Sequence, residues 1–328
     1  MREFLIRRFA FMLIVLFLTS IFAFIVIQLP PGDYLSSYII RLETERGGII
    51  SEAEIEAIKK QFGLGDPIHI QYIKWMTNMF RGDFGQSFEW RQPVIKLIND
   101  RLPMTVVISF LTLILTYVIA IPIGIYSARH QYSFMDYTFT SLGFLGLSTP
   151  SFFLALVLAF VLNKYFNISV GGLYSPEFIN APPSFAKFLD LLKHLPLPIV
   201  VIGLAGTASI IRIMRGSLLD EIGRPYVTAA RARGLEESKM IYMYPVRVAL
   251  NPIISTVGWL LPSIFSGATV TAIVLNLPTI GSLLYGALLS QDMYLAGTCI
   301  LILTALTLIG TFISDVLLAL IDPRIRYS

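Results

Sequence analysis

The sequence predicts an all-α polytopic membrane protein with six transmembrane helices. Three observations carry that expectation. Hydrophobic residues make up 55% of the 328-residue chain against 14% charged, and mean hydropathy is +0.72, a balance proper to integral membrane proteins rather than water-soluble domains. Charge-free runs recur along the chain, each near the ~20 residues that cross a bilayer core as helix. Cys299 is the only cysteine, so no intrachain disulfide framework holds the fold.

The runs give the spans in order. Phe9–Leu29 is 21 residues without a charge, preceded by Arg7 and Arg8. It exceeds the usual h-region of a signal peptide and no A-x-A site follows, so it reads as a retained first span. Leu102–Ala128 is the second, with Pro103 near its start and Pro122 expected to kink it. Tyr137–Asn163 is the third, interrupted by Ser148-Thr149-Pro150-Ser151. Leu195–Ile211 is a shorter fourth, entered through Pro196 and Pro198. Val248–Gln291 runs 44 residues without charge, too long for one helix. Asn276-Leu277-Pro278 and Gly281 break it, giving a fifth span over 253–275 and then an apolar outer loop over 276–294. The sixth span, Leu295–Leu320, contains Asp315 near its end.

Lys and Arg in short loops set the orientation. With Arg2, Arg7 and Arg8 inside, six spans also leave Arg324 and Arg326 inside, an N-in, C-in arrangement. The inner loop at 212–250 then holds Arg212, Arg215, Arg224, Arg231, Arg233, Lys239 and Arg247, and the outer 276–294 loop has no Lys or Arg. The long 31–101 segment carries nine basic and ten acidic residues, and long loops translocate largely regardless of charge. The chain thus divides into 1–30, the cytoplasmic N-terminus and first helix; 31–101, an extracytoplasmic segment; and 102–328, the membrane body with its cytoplasmic loop.

The outer segment is expected to fold. Ser51-Glu52-Ala53-Glu54 has the form of a capping box, opening a helix through Gln61 that Gly63 would end. Pro67 to Phe80 reads as an amphipathic helix with Ile68, Tyr72, Trp75 and Met79 on one stripe.

Enzymatic chemistry has little support. No G-x-x-x-x-G-K-[ST] loop is present to cradle phosphates, and no Ser or Thr in the spans has a His or Lys partner in its own span. His69, His130 and His194 are scattered without metal-ligand spacing, and nothing points to nucleic acid. Hydroxyls in the spans suit back-bonding to their own helix or bridging between helices. Asp315 is costly inside a span. It is expected to pair with an arginine of the 212–250 loop, the other reading being a proton relay.

The polar stretch between Ser217 and Ile253 stands out. Pro225 can open a short helix, where its missing N–H costs nothing, and Gly234 can close it in the left-handed conformation. About nine residues are too few for a stable isolated helix, yet enough to seat in a partner's groove. Ala229, Ala230 and Gly234 supply a small-residue face, and Leu235 can plug an apolar spot. Arg231 and Arg233 either pair with acidic groups on a partner or lie solvated as an inner loop requires.

Thr228-Ala229-Ala230-Arg231-Ala232-Arg233-Gly234 resembles the Glu-Ala-Ala…Gly motif of permease subunits of ATP-binding cassette (ABC) importers. Thr228 replaces the acidic first position, a departure similar to that of the dipeptide/oligopeptide/nickel branch, and the downstream Ile-x-Leu-Pro part is not recognisable as such. Gly82-Asp83-Phe84-Gly85-x-Ser87, Ser148-Thr149-Pro150-Ser151-Phe152, Leu277-Pro278-x-Ile280-Gly281 and Leu320-Ile321-Asp322-Pro323-Arg324-Ile325-Arg326 resemble further segments of that branch, in its order along the chain. The resemblance implies a type I ABC importer-like permease. It implies partners: a second homologous permease, two ABC ATPase subunits carrying ATP and Mg, and an extracytoplasmic solute-binding protein. The chain itself would need no cofactor. Peptides are the expected cargo, with oligosaccharides or nickel complexes as alternatives and an ion-coupled secondary transporter as a rival class. Ser148, Thr149, Ser151, Ser263, Ser266, Gly267 and Thr269 are candidates to line the path, though close helix packing explains them equally.

Overall fold

The computed structural model describes residues 2–28, 39, 43–44, 51, 55–56, 66–166, 168 and 171–321. Its helices are α1 (Arg2–Gln28), α2 (Ile68–Phe80), α3 (Val94–Arg129), α4 (Phe134–Ser148), α5 (Ser151–Phe166), α6 (Phe185–His194), α7 (Pro196–Ile222), α8 (Pro225–Ala232), α9 (Glu237–Met243), α10 (Pro245–Ser255), α11 (Val257–Val274), α12 (Ile280–Leu289) and α13 (Met293–Ile321). Five stretches are long and apolar enough to cross a membrane: most of α1, α3, α6 with α7, α11 and most of α13. The pair α4–α5 passes the same test together but is bent by 110°, and counted as one broken span it makes the sixth. The bend has a local cause. Pro150 disfavours helical backbone at the residue before it, and Thr149 is extended at φ −96, ψ 123.

Several boundaries differ from the sequence reading. The second span starts at Val94, not Leu102, and stays helical through both Pro103 and Pro122. The fourth does not stop at Ile211 but continues to Ile222, so the start of the 212–250 loop is helix, followed by α8, α9 and α10. The expected apolar loop over 276–294 contains α12, whose Thr279 and Ser282 form a reciprocal cap. The helix expected from Ser51 to Gln61 and the Asp322–Arg326 terminus lie outside the described residues, except that the Ile55 N–H donates to the Ser51 carbonyl at 3.0 Å.

The chain forms two compact units. The first comprises Ala10–Pro103 and Thr279–Ala305. Its core gathers Phe24, Trp75, Phe88, Val94, Ile98, Ile280, Leu295 and Cys299. Trp75 is the buried residue of α2, with Tyr72 packed partly beside it, whereas Ile68 stands 59% exposed and drops out of the predicted stripe. Asp292, fully buried, ties the segment before α3 into this core. Its Oδ2 accepts from Ser87 Oγ (2.6 Å) and from the backbone N–H groups of Phe88 (2.7 Å) and Glu89 (3.2 Å). The loop reaching Ser87 turns through Gly82 and Gly85 at φ +84 and +79. At Gly85 a Cβ would also lie 3.2 Å from the Tyr294 ring, which accounts for the glycine on both counts.

The second unit comprises Met1–Phe9, Met104–Pro278 and Leu306–Ser328, with α7 at its centre. Helices α4, α5, α10 and α11 all pack on α7. Small residues permit the close crossings. A Cβ on Gly124 would meet Met214 of α7 at 2.6 Å, and one on Gly206 would meet Leu260 of α11 at 2.7 Å. Asp315 pairs here with Arg8, at 3.1 Å, and not with an arginine of the 212–250 loop. The reason is reach: both sit near helix ends that share this unit, and a partly buried carboxylate takes the nearest guanidinium.

Candidate functional site: an exposed helix on a buried root

The stretch after α7 turns at Gly223, and Arg224 enters the next helix with extended backbone at φ −74, ψ 149. Pro225 occupies the first helical position and α8 runs eight residues to Ala232. Gly234 follows at φ +74 with open space around its missing Cβ. Its requirement is therefore backbone conformation, not close approach.

Spacing within α8 splits it into two faces. Val227 is fully buried and Ala230 8% exposed, both packed into a core with Met214, Leu218, Met240 and Ile241. Val227 is absent from the expected site residues, although its three-residue spacing from Ala230 is the available signal. Ala230 is correspondingly turned into the chain's own core and is lost from the small-residue face expected to meet a partner. Pro225, Thr228, Ala229, Arg231, Arg233 and Leu235 are exposed.

Local bonds hold this element. Arg231 Nη2 donates to Glu237 Oε1 at 2.7 Å and its Nε to Oε2 at 3.0 Å, so Arg231 is engaged within the chain. The arginine holds the Glu237 carboxyl below the usual glutamate range. Both groups are exposed, so the pair is salt-screened and fixes geometry more than it stabilises. Tyr226 donates its hydroxyl to Glu221 Oε2 at 2.6 Å. Desolvation, with the glutamate beside it, pushes that hydroxyl up to about 12. Among the described residues Arg233 has no ion-pair partner, which leaves it the exposed cation of the helix end.

The root beneath α8 is braced by an ion pair between the half-buried Arg215 and the buried Asp136. Arg215 donates from Nε to Asp136 Oδ1 at 2.9 Å and from Nη2 to Oδ2 at 2.8 Å, joining α7 to the first turn of α4. The Tyr132 N–H adds a third bond to Asp136 at 3.0 Å.

The seven path candidates are not gathered in the same way. Ser148 and Ser263 donate to the carbonyls of Leu145 and Leu260 in their own helices, at 3.2 and 2.8 Å. Ser151 accepts from Thr271 Oγ1 at 3.0 Å, a bridge between α5 and α11. Thr149 forms the α4–α5 break, Gly267 is exposed, and Thr269 is half-buried on α11, the helix that also carries Ser266. Back-bonding and helix bridging thus account for three of the seven.

A many-helix membrane body with a short, rooted, outward-facing helix between two of its spans defines a class: a polytopic membrane protein with an exposed helical element at its surface. Comparison with known proteins places it more closely. Residues 120–327 match the family described as binding-protein-dependent transport system inner membrane component, and residues 1–109 match the N-terminal component of that system. The chain is 32% identical over its whole length to the oligopeptide transport system permease protein AppB of Bacillus subtilis, itself covered completely. A putative peptide permease protein of Brucella suis is 32% identical over 94% of both chains. The nickel import system permease protein NikB of Staphylococcus aureus is 30% identical over 96% of this chain and 89% of its own. The chain belongs to the binding-protein-dependent transport system inner membrane component family, the permeases of ABC importers. It is a multi-pass protein of the prokaryotic cell membrane.

Proposed function

We propose that this permease forms a translocation path with a second, related permease and is driven through α8 by two ABC ATPase subunits that hold ATP and Mg. An extracytoplasmic binding protein delivers the cargo. The chain hydrolyses nothing itself and changes access from one side to the other as the ATPases move α8. The observation that carries this reading is the two-faced α8: Val227 and Ala230 fasten it to the core while Thr228, Ala229, Arg233 and Leu235 face outward. A helix rooted this way transmits a push from outside into α7.

Di- or oligopeptides are the proposed cargo, supported by the names of two full-length relatives. Nickel complexes are the second reading, favoured by the likeness to a nickel import permease; oligosaccharide transport is a less supported variant of the same mechanism. Orientation follows the Lys/Arg distribution, with both termini and α8 cytoplasmic and the 31–101 segment outside.

Gly234→Asp tests the coupling. Any L-residue at φ +74 is strained by about 1 kcal/mol, and aspartate adds charge beside Glu236 and Glu237. Binding-protein-stimulated ATP hydrolysis by the reconstituted importer is expected to be lost while membrane insertion is retained. Undiminished stimulation removes α8 from the mechanism. Uptake of labelled peptides against chelated nickel by the same vesicles separates the cargo readings.

A further inference from the structure

A cavity of about 540 Å³ opens where α3 ends, at the turn into α4. Part of its lining is apolar, with Ile125, Met135 and Phe139 among the residues there. Its rim is aromatic and basic. Tyr126 stacks on His130 at 4.5 Å between ring centroids, and Arg129 lies over the Tyr242 ring at 5.8 Å. Arg129 spends one donor on Ser238 Oγ, at 3.0 Å, which aims the guanidinium without neutralising it. Among the described residues no carboxylate lines the cavity. Asp136 is paired with Arg215, and Glu237 is ion-paired with Arg231 and feels Arg129 only through space, without a direct salt bridge to it.

The level of this cavity is fixed by the chain. The charge-free run of α3 ends at Arg129, so the rim stands where the hydrocarbon gives way to water. Tyr132, Phe134 and Tyr137 project around the same turn, 68%, 80% and 59% exposed. Large aromatics left exposed at that depth match the belt that sits among lipid headgroups. Tyr242 belongs to α9, which packs on α8.

We propose that this cavity seats an anionic phospholipid of the inner leaflet, its phosphate on Arg129 and an acyl chain along Met135 and Phe139. The lipid braces α9, and through it α8, against the membrane surface. The site rests on the cytoplasmic placement of α8 given above, but lipid retention is read without nucleotide, so it stands or falls apart from ATPase coupling.

The whole importer, reconstituted in phosphatidylcholine bilayers with or without phosphatidylglycerol, is released into native mass spectrometry and its retained lipids are counted. Wild type is expected to hold phosphatidylglycerol in preference to phosphatidylcholine. Arg129→Gln lowers that retention about fivefold, the worth of one basic side chain at an anionic lipid surface. Met135→Trp fills the cavity, leaves Arg129 in place and lowers it as well, so a folding defect peculiar to one variant does not decide the outcome. Equal phosphatidylglycerol retention in all three proteins overturns the proposal, as does equal retention of the two lipids. Lipid held by the permease pair but expelled when the ATPases dock overturns it too, and assigns the cavity to the ATPase.

Discussion

Asp136 is 2% exposed, in the first turn of α4, and its charge is tolerable there only because Arg215 meets it with two parallel bonds. Removing Asp136 strands Arg215, which is 26% exposed, so the cost falls below the ~3 kcal/mol or more of a fully buried pair. Asp136→Ala is expected to lower the melting temperature of the detergent-solubilised permease markedly. The double replacement Asp136→Leu with Arg215→Leu recovers much of the loss, because it strands no charge. A single mutant that melts like wild type means that the pair supports nothing. Neither partner is legible as a pair in the sequence, since 79 residues separate them and only the crossing of α4 on α7 joins them. The same holds for Arg8 and Asp315. The sequence announces an expensive carboxylate without saying which arginine answers it.

Elements bounded by backbone chemistry are the most legible. Pro225 and Gly234 mark both ends of α8 because each acts through its own φ, independent of the rest of the fold. Its orientation is harder to read: alanine suits a partner's groove and a core equally, and Ala230 turns inward. The buried root yields a separate prediction. Val227→Ala removes two methyl groups from a fully buried position, about 1–2 kcal/mol with the cavity left behind. Stimulated ATP hydrolysis should fall several-fold while basal hydrolysis persists; an unchanged ratio means α8 does not push through its root. In the other unit α12 escapes a sequence reading because a run without charge offers no amphipathic period, and only the Thr279–Ser282 cap signals its start. Asp292, just beyond α12, shows the cost of deep burial. Desolvation pushes its carboxyl above the ordinary aspartate range, although Ser87 and three backbone N–H groups pull the other way. A raised native pKa means the folded state binds the proton more readily than the unfolded one, so this unit's stability rises as pH falls through the raised value. Asp292→Ala instead leaves buried N–H groups of Phe88 and Leu295 without their acceptor, about 1–3 kcal/mol each. Faster proteolysis after Arg81 or Arg91 is the expected readout.

Across the whole molecule, what decides function is which ends of the helices meet water on the same side. The inner positions argued from Lys and Arg include Arg129, the end of α7, α8 and α9; the outer ones include the 164–194 and 276–294 connections. The 110° bend between α4 and α5 makes the parity of the later spans depend on whether that pair crosses once. If it crosses, six spans place the N-terminus and the Ile321 end of α13 on one face; if it re-enters, everything after Phe166 inverts relative to α1. Charge argues for crossing, because inversion would put Arg212, Arg215, Arg224, Arg231 and Arg233 outside, against the bias that governs short loops. Cys299, the sole cysteine, is fully buried and leaves a silent background for labelling. Arg233→Cys is expected to react with a membrane-impermeant maleimide only in inside-out vesicles, and Ile179→Cys only in right-side-out cells. The reversed pattern, Arg233→Cys reacting only in right-side-out cells and Ile179→Cys only in inside-out vesicles, means that α4 and α5 form a re-entrant hairpin, and α8 could then no longer meet a cytoplasmic motor.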